Sequence, residues 1–100
     1  MVKHLVFWRL KEHALGASKA ENILRFKAEV EKLKNVVPGV RSLELGVDIE
    51  GSPAAWDMAL YSEFDSQEAL DAYQAHPEHL KVRDLFVEAT SERAVVDYEV

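Results

Sequence analysis

The segment Val2-Lys3-His4-Leu5-Val6-Phe7-Trp8-Arg9-Leu10 restricts the fold more than any other stretch of the chain. Its residues alternate with a period of two, the pattern of a strand whose successive side chains point to opposite sides of a sheet. Val2, His4, Val6, Trp8 and Leu10 share one face, and Lys3, Leu5, Phe7 and Arg9 share the other. Leu5 and Phe7 make the middle of that second face apolar too. A strand apolar on both faces needs a layer packed against each side of its sheet.

The remaining elements follow from periodicity and punctuation. A short linker, Lys11 to Ala17, leads to Ser18 and Glu21, which are spaced as a capping box in which each side chain satisfies a free N–H of a helix start. Ile23, Phe26, Val30, Leu33 and Val37 then recur at helical spacing, predicting a helix from Ser18 to about Asn35 that ends before Pro38-Gly39. Val40 to Glu50 alternates as a second strand, with Arg41, Leu43, Leu45, Val47 and Ile49 on one face and a bulge or close approach expected at Gly46. Gly51-Ser52-Pro53 turns the chain into a third strand, Trp56 to Phe64, with Trp56, Met58, Leu60, Ser62 and Phe64 on one face. Asp65 and Glu68 repeat the capping spacing before a short helix with Ala69, Leu70 and Tyr73 inward. Proline is tolerated in the first turn of a helix, so the helix restarts after His76-Pro77, with Leu80, Leu85, Phe86 and Ala89 apolar. Arg93 to Val100 closes the chain as a fourth strand.

The order β-α-β-β-α-β is that of an α+β, ferredoxin-like domain with a four-stranded antiparallel sheet, here a single domain over residues 1–100. The helices suffice for one face of that sheet. Leu5, Phe7, Ala59, Tyr61, Val96 and Tyr98 are expected on the other, an apolar patch that marks an association surface. The simplest cover is the same face of a second copy across a two-fold axis, so the partner expected first is the chain itself, as a homodimer.

Composition narrows the function classes. Hydrophobic residues make up 48% and charged residues 30% of the chain, as in ordinary globular domains. The net charge of −6, with no basic cluster, argues against nucleic acid. No apolar run approaches the roughly 20 residues that span a bilayer. The apolar start lacks a cleavage motif and reads as a strand rather than a signal peptide, giving a cytoplasmic protein as the expectation. Without cysteine there is neither a disulfide nor a thiolate. No glycine-rich phosphate loop, nucleophile elbow or paired-carboxylate motif is present, so no cofactor is expected.

Chemistry gathers instead in Tyr73-Gln74-Ala75-His76-Pro77-Glu78-His79. At a helix N-terminus the macrodipole disfavours an imidazolium, so a partly buried His79 tends to be neutral and can remove a proton next to a carbonyl. A nearby Tyr73 hydroxyl could hold the resulting oxyanion. The alternative is that His79 only bonds a carbonyl at the helix junction and that Tyr73 only packs. His76 reads as a cap or a solvated residue, His13 has no partner, and His4 reads as a core histidine or a polar group facing a cavity. A metal site would need His4 to approach His76 and His79 and Asp97 to add an oxygen. Only the two-histidine pair is visible locally, short of the three or four converging ligands of a stable zinc site, so no metal is expected.

Four stretches in this order and spacing resemble the stress-responsive A/B barrel (Dabb) family. They are Val2-Lys3-His4-Leu5-Val6-Phe7-Trp8, Phe64-Asp65-Ser66-Gln67-Glu68-Ala69-Leu70, Tyr73-Gln74-Ala75-His76-Pro77-Glu78-His79 and Val95-Val96-Asp97-Tyr98. The resemblance runs from residue 2 to the C terminus and implies a dimeric α+β barrel. The family's plant members include stress-induced proteins and polyketide cyclases resembling olivetolic acid cyclase. In those cyclases the working pair is the tyrosine and the second histidine of the block, which match Tyr73 and His79; the early histidine lining the pocket matches His4. Asp97 matches an aspartate near that pocket, and Trp8 and Leu60 are expected to wall it. Trp8 stands where the family has a smaller aliphatic residue and Ser62 where it has an apolar one, so the substrate does not carry over. Two functional classes follow. One is a cofactor-independent enzyme of cyclase or aldolase type acting on an enolisable carbonyl or polyketide-like compound. The other is a non-catalytic homodimer that binds a small apolar or phenolic ligand or contributes to stress tolerance.

Overall fold

The computed structural model describes every residue from Met1 to Val100. The elements run β1 (Val2–Leu10), β2 (His13–Ala14), β3 (Ala17–Ser18), α1 (Lys19–Val36), β4 (Val40–Val47), β5 (Met58–Phe64), α2 (Gln67–Ala75), α3 (Pro77–Ala89) and β6 (Thr90–Glu99). β4, β5, β1 and β6 form, in that spatial order, a four-stranded sheet whose neighbours are all antiparallel. This is the ferredoxin-like α+β fold expected from the element order, with the restart at Pro77 dividing the second helical region into α2 and α3. No helix is long and apolar enough to cross a membrane.

β1 lies at the centre, and its side chains alternate between buried and half-buried along its whole length. On the helix side, Val6 from β1, Leu45 from β4, and Met58 and Phe64 from β5 join Phe26 and Val30 of α1 in one core. Phe86 of α3 lies 4.3 Å from the ring of Phe26 and edge-on to Trp8 at 4.8 Å, tying both long helices to the central strand. Ser18 caps α1 as its spacing predicted: its hydroxyl accepts from the Glu21 N–H at 3.2 Å, and Glu21 accepts from the Ser18 N–H at 3.1 Å.

Several boundaries and faces differ from the sequence reading. The linker before α1 contains a small hairpin of β2 and β3, whose turn places Leu15 (φ 55°) and Gly16 (φ 70°) in the left-handed region. A two-residue hairpin loop of this kind needs positive φ at both central positions, which costs Leu15 about 1–2 kcal/mol and Gly16 almost nothing. β4 ends at Val47 rather than Glu50, because Asp48 accepts from the Gly51 N–H at 2.8 Å and turns the chain. Ile49, expected to continue the strand face of Leu43 and Leu45, is 93% exposed. The register shift in β4 falls between Val40 and Ser42, not at Gly46, where a Cβ would meet only the Ala59 carbonyl at an ordinary 3.9 Å.

β5 begins at Met58 rather than Trp56. Asp57 is held by the Leu10 N–H at 2.7 Å and by Lys19 at 3.4 Å, which breaks the alternation. Trp56 therefore lies on the opposite side, against Phe7 and under the Arg9 guanidinium at 4.3 Å. The cap of α2 is Ser66, which accepts from the Ala69 N–H at 3.1 Å, while Asp65 pairs with Arg41. β6 starts at Thr90, directly after α3, because the Thr90 hydroxyl donates to the Phe86 carbonyl at 2.7 Å and closes the helix without a loop.

Candidate functional site

The site starts from one row of residues across the helix side of the sheet. Register pairs Leu43 with Ser62, Ser62 with His4, and His4 with Asp97. Paired residues of antiparallel strands share a face, so Ser62 and Asp97 flank His4. Ser62, fully buried, donates its hydroxyl proton to the His4 carbonyl at 2.9 Å. That bond explains how a hydroxyl is tolerated at a core position. His4 is 2% exposed, and its Nδ1–H donates to the Asp97 carboxylate. A carboxylate at neutral pH only accepts, so this pairing leaves Nε2 as the nitrogen turned to the rest of the site.

The junction of α2 and α3 supplies the next groups. His76 serves both helices: its N–H donates to the Tyr73 carbonyl at 3.2 Å, and its Nδ1 accepts from the Glu78 N–H at 3.1 Å. It is a cap, one of the two roles read for it. Three residues on, the His79 Nδ1–H donates to the Gln74 carbonyl at 3.0 Å, one of the last carbonyls of α2 without an intrahelical partner. A carbonyl can only accept, so the proton sits on Nδ1 and the lone pair on Nε2. Nε2 makes no hydrogen bond to the protein.

Burial pushes the His79 pKa below the ordinary imidazole value; the bond to Gln74 opposes this, while Arg83, His4 and Arg93 reinforce it by charge. The residue is therefore a neutral imidazole near pH 7. Tyr73 is buried, with its ring 4.5 Å from His79 and 5.1 Å from Phe64. Burial raises its pKa far above the ordinary phenol value, so it remains a proton donor at any physiological pH. Its hydroxyl has no hydrogen-bond partner within the chain.

His4, Trp8, Leu60, Tyr73 and His79 all line one cavity of about 380 Å³, roofed by α1 and α3 and floored by β1 and β5. That volume lies within the usual range of small-molecule sites. Asp97 does not line it and reaches it only through His4, while His13 belongs to the β2–β3 hairpin and lies apart. Sequence reasoning passed over Val82, which is buried in the wall, and over Gln74, Arg83, Thr90 and Arg93. Arg83 was within reach of pattern: four residues after His79 on one helix, it shares the same face. Arg93 was not, because it is the pairing of β6 with β1 that sets it opposite Trp8.

The family model described as "Stress responsive A/B Barrel Domain" matches residues 2–100. The stress-response A/B barrel domain-containing protein HS1 of Arabidopsis thaliana is 27% identical over 100 residues, covering 98% of this chain and 88% of that protein. A dimeric protein of unknown function with a ferredoxin-like fold from Bacteroides fragilis is 34% identical, with a TM-score of 0.86 over 99% of this chain and 95% of the other. A hydroxynitrile lyase from Passiflora edulis shares the fold at 24% identity, with a TM-score of 0.82 over 99% of this chain and 92% of its own.

Proposed function

Because this chain belongs to the stress-responsive A/B barrel domain family, we propose that it works as a homodimer whose protomers each use the cavity between helices and sheet for cofactor-independent chemistry on an enolisable carbonyl compound. The observation that carries this reading is the approach of His79 and Tyr73 on one apolar cavity, the first with a free lone pair and the second with a free hydroxyl proton.

In the proposed step, His79 Nε2 takes a proton from the carbon next to the carbonyl, and the electron pair of the broken C–H bond moves to the carbonyl oxygen. The Tyr73 hydroxyl donates a hydrogen bond to that developing enolate, which suits a phenol whose own ionisation is suppressed. In cyclase or aldolase chemistry the enolate carbon then attacks a second carbonyl carbon, the π pair of that carbonyl moves to its oxygen, and the imidazolium on His79 gives its proton to that oxygen. With no acceptor carbonyl the proton returns to carbon. His4, fixed by Asp97, orients the substrate, and Trp8 and Leu60 wall its apolar part. The dimer is proposed from the uncovered side of the sheet, where Leu5, Phe7, Ala59 and Tyr61 are only half-buried and Val96 and Tyr98 are exposed. The dimeric state of the Bacteroides fragilis relative supports it.

A panel of polyketide-like and phenolic ketones, screened first by thermal shift, gives the ligands for the test. Exchange of their α-protons in D₂O, followed by NMR, then reads the chemistry. His79→Ala and Tyr73→Phe should each lower the exchange rate on the order of 10²-fold or more while leaving the assembly unchanged. Exchange unaffected by both substitutions would overturn the catalytic reading. A second reading has its own support: the His79 bond to Gln74 also joins α2 to α3, as a purely structural histidine would. Ligands that raise the melting temperature without any enzyme-dependent exchange would favour that non-catalytic binding protein.

A further inference from the structure

The cavity is apolar inside and cationic at its edge. Its interior is built from Val6, Trp8, Val30, Leu33, Leu60 and Phe86, whereas Arg83 from α3 and Arg93 from β6 line it from two different elements. Both are exposed. Arg93 has no hydrogen bond or ion pair within the chain, and the one ion pair of Arg83 is an exposed one with its neighbour Asp84, at 3.2 Å. Both guanidiniums lie close enough to His79 for their charge to act on it. The chain as a whole carries a net charge of −6, which repels anions in general. Two guanidiniums lining one apolar cavity, that of Arg93 without any acidic partner, reverse that field locally.

A neutral ligand offers these arginines no opposite charge, and a fully polar anion gives the interior nothing to bury. We propose that the ligand is an amphipathic carboxylate, its apolar body in the cavity and its carboxylate held at the rim by Arg83 and Arg93. Guanidinium is the side chain best matched to a carboxylate, since its planar N–H fork can make two parallel charge-assisted bonds. This deepens the reading of the preceding subsection and rests on its placing the ligand in this cavity: the substrate class becomes keto acids, with the carbonyl at His79 and Tyr73 and the acid group at the arginines.

Calorimetric titration at pH 7 and low ionic strength with octanoate, 1-octanol, 3-phenylpropionate and 3-phenylpropanol tests the rim without any chemistry. Each acid should bind at least about tenfold more tightly than its alcohol, a difference of about 1.4 kcal/mol. The preference should weaken as salt is added. Arg83→Gln and Arg93→Gln combined should abolish it while leaving the alcohols' affinity unchanged, and Arg83→Lys with Arg93→Lys should retain part of it. Both arginines are exposed, so these variants should fold. Equal binding of acid and alcohol, no binding of either acid, or a preference that survives the double glutamine variant would overturn the proposal. Because binding alone is read, failure of the proton-exchange experiment leaves this result standing, and failure here leaves the exchange chemistry standing.

Discussion

On the helix side of the sheet, Val6, Leu45, Met58 and Phe64 are fully buried by the chain's own helices, while on the other side Leu5, Phe7 and Tyr61 stay half-covered and Val96 and Tyr98 are 54% and 42% exposed. Both faces are apolar, yet they differ in where polar groups stand. The covered face carries Ser62, His4 and Asp97 in one row, beside a cavity. The open face keeps its charges to the flanks: Lys3 lies near Glu63 at 3.9 Å and over the Tyr61 ring at 5.6 Å, and Arg9 lies near Glu92 at 3.7 Å. Buried polar groups are for the most part hydrogen-bonded or aimed at a ligand, whereas an apolar surface with a charged rim suits a protein partner. The proposed reading turns this difference into a division of labour, with a small molecule held on one face and a second copy on the other.

The largest effect should come from breaking the open face. Phe7→Glu places a charge in the middle of a surface that, once paired, is desolvated, and it should dissociate or unfold the protein. Sedimentation equilibrium would show the change, and an interface of this type should bury roughly 2,000 Å² or more. A stable, folded wild-type monomer at micromolar concentration would remove the distinction between the faces.

A smaller effect is expected at Ser18, which anchors the helix that covers the other face. Ser18→Ala leaves the Glu21 N–H without its side-chain partner and should cost about 1 kcal/mol in denaturant melts. Equal stability would mean that the cap contributes nothing to the covering layer.

The smallest effect is a pH dependence that belongs to the covered face alone. The folded protein holds the His79 pKa below its unfolded value, so the unfolded state binds more protons as pH falls below about 6.5. His79 therefore contributes stability that is present above that value and lost as pH falls through its folded pKa. In His79→Gln the stability profile over this acidic window should be flatter than in wild type. An unchanged slope would place the pH dependence in other groups.

Much of this architecture was legible because both faces of β1 are written in one alternating segment, and because Ser18, Pro77 and the His76 junction mark their helices locally. The places of Trp56 and Asp65 are not legible locally for a shared reason: each is decided by a partner distant in sequence. Leu10 and Lys19 hold Asp57 and so turn Trp56 to the open side, while Arg41 draws Asp65 away from the cap that Ser66 takes instead. The same limit applied to the cavity. His4, Tyr73 and His79 could be picked out by residue type, but Arg93 acquires its place only through strand register, and a rim charge gives no periodic signal.

Amide and imidazole NMR spectra of ¹⁵N-labelled protein, titrated with the ketone giving the largest thermal shift, test the division between the two faces most directly. Shifts are expected at His4, Trp8, Tyr73 and His79, including the His79 Nε2 resonance, with Leu5, Phe7, Tyr61 and Val96 unmoved. Shifts concentrated on Leu5, Phe7, Tyr61 and Val96, with the cavity residues unchanged, would contradict it.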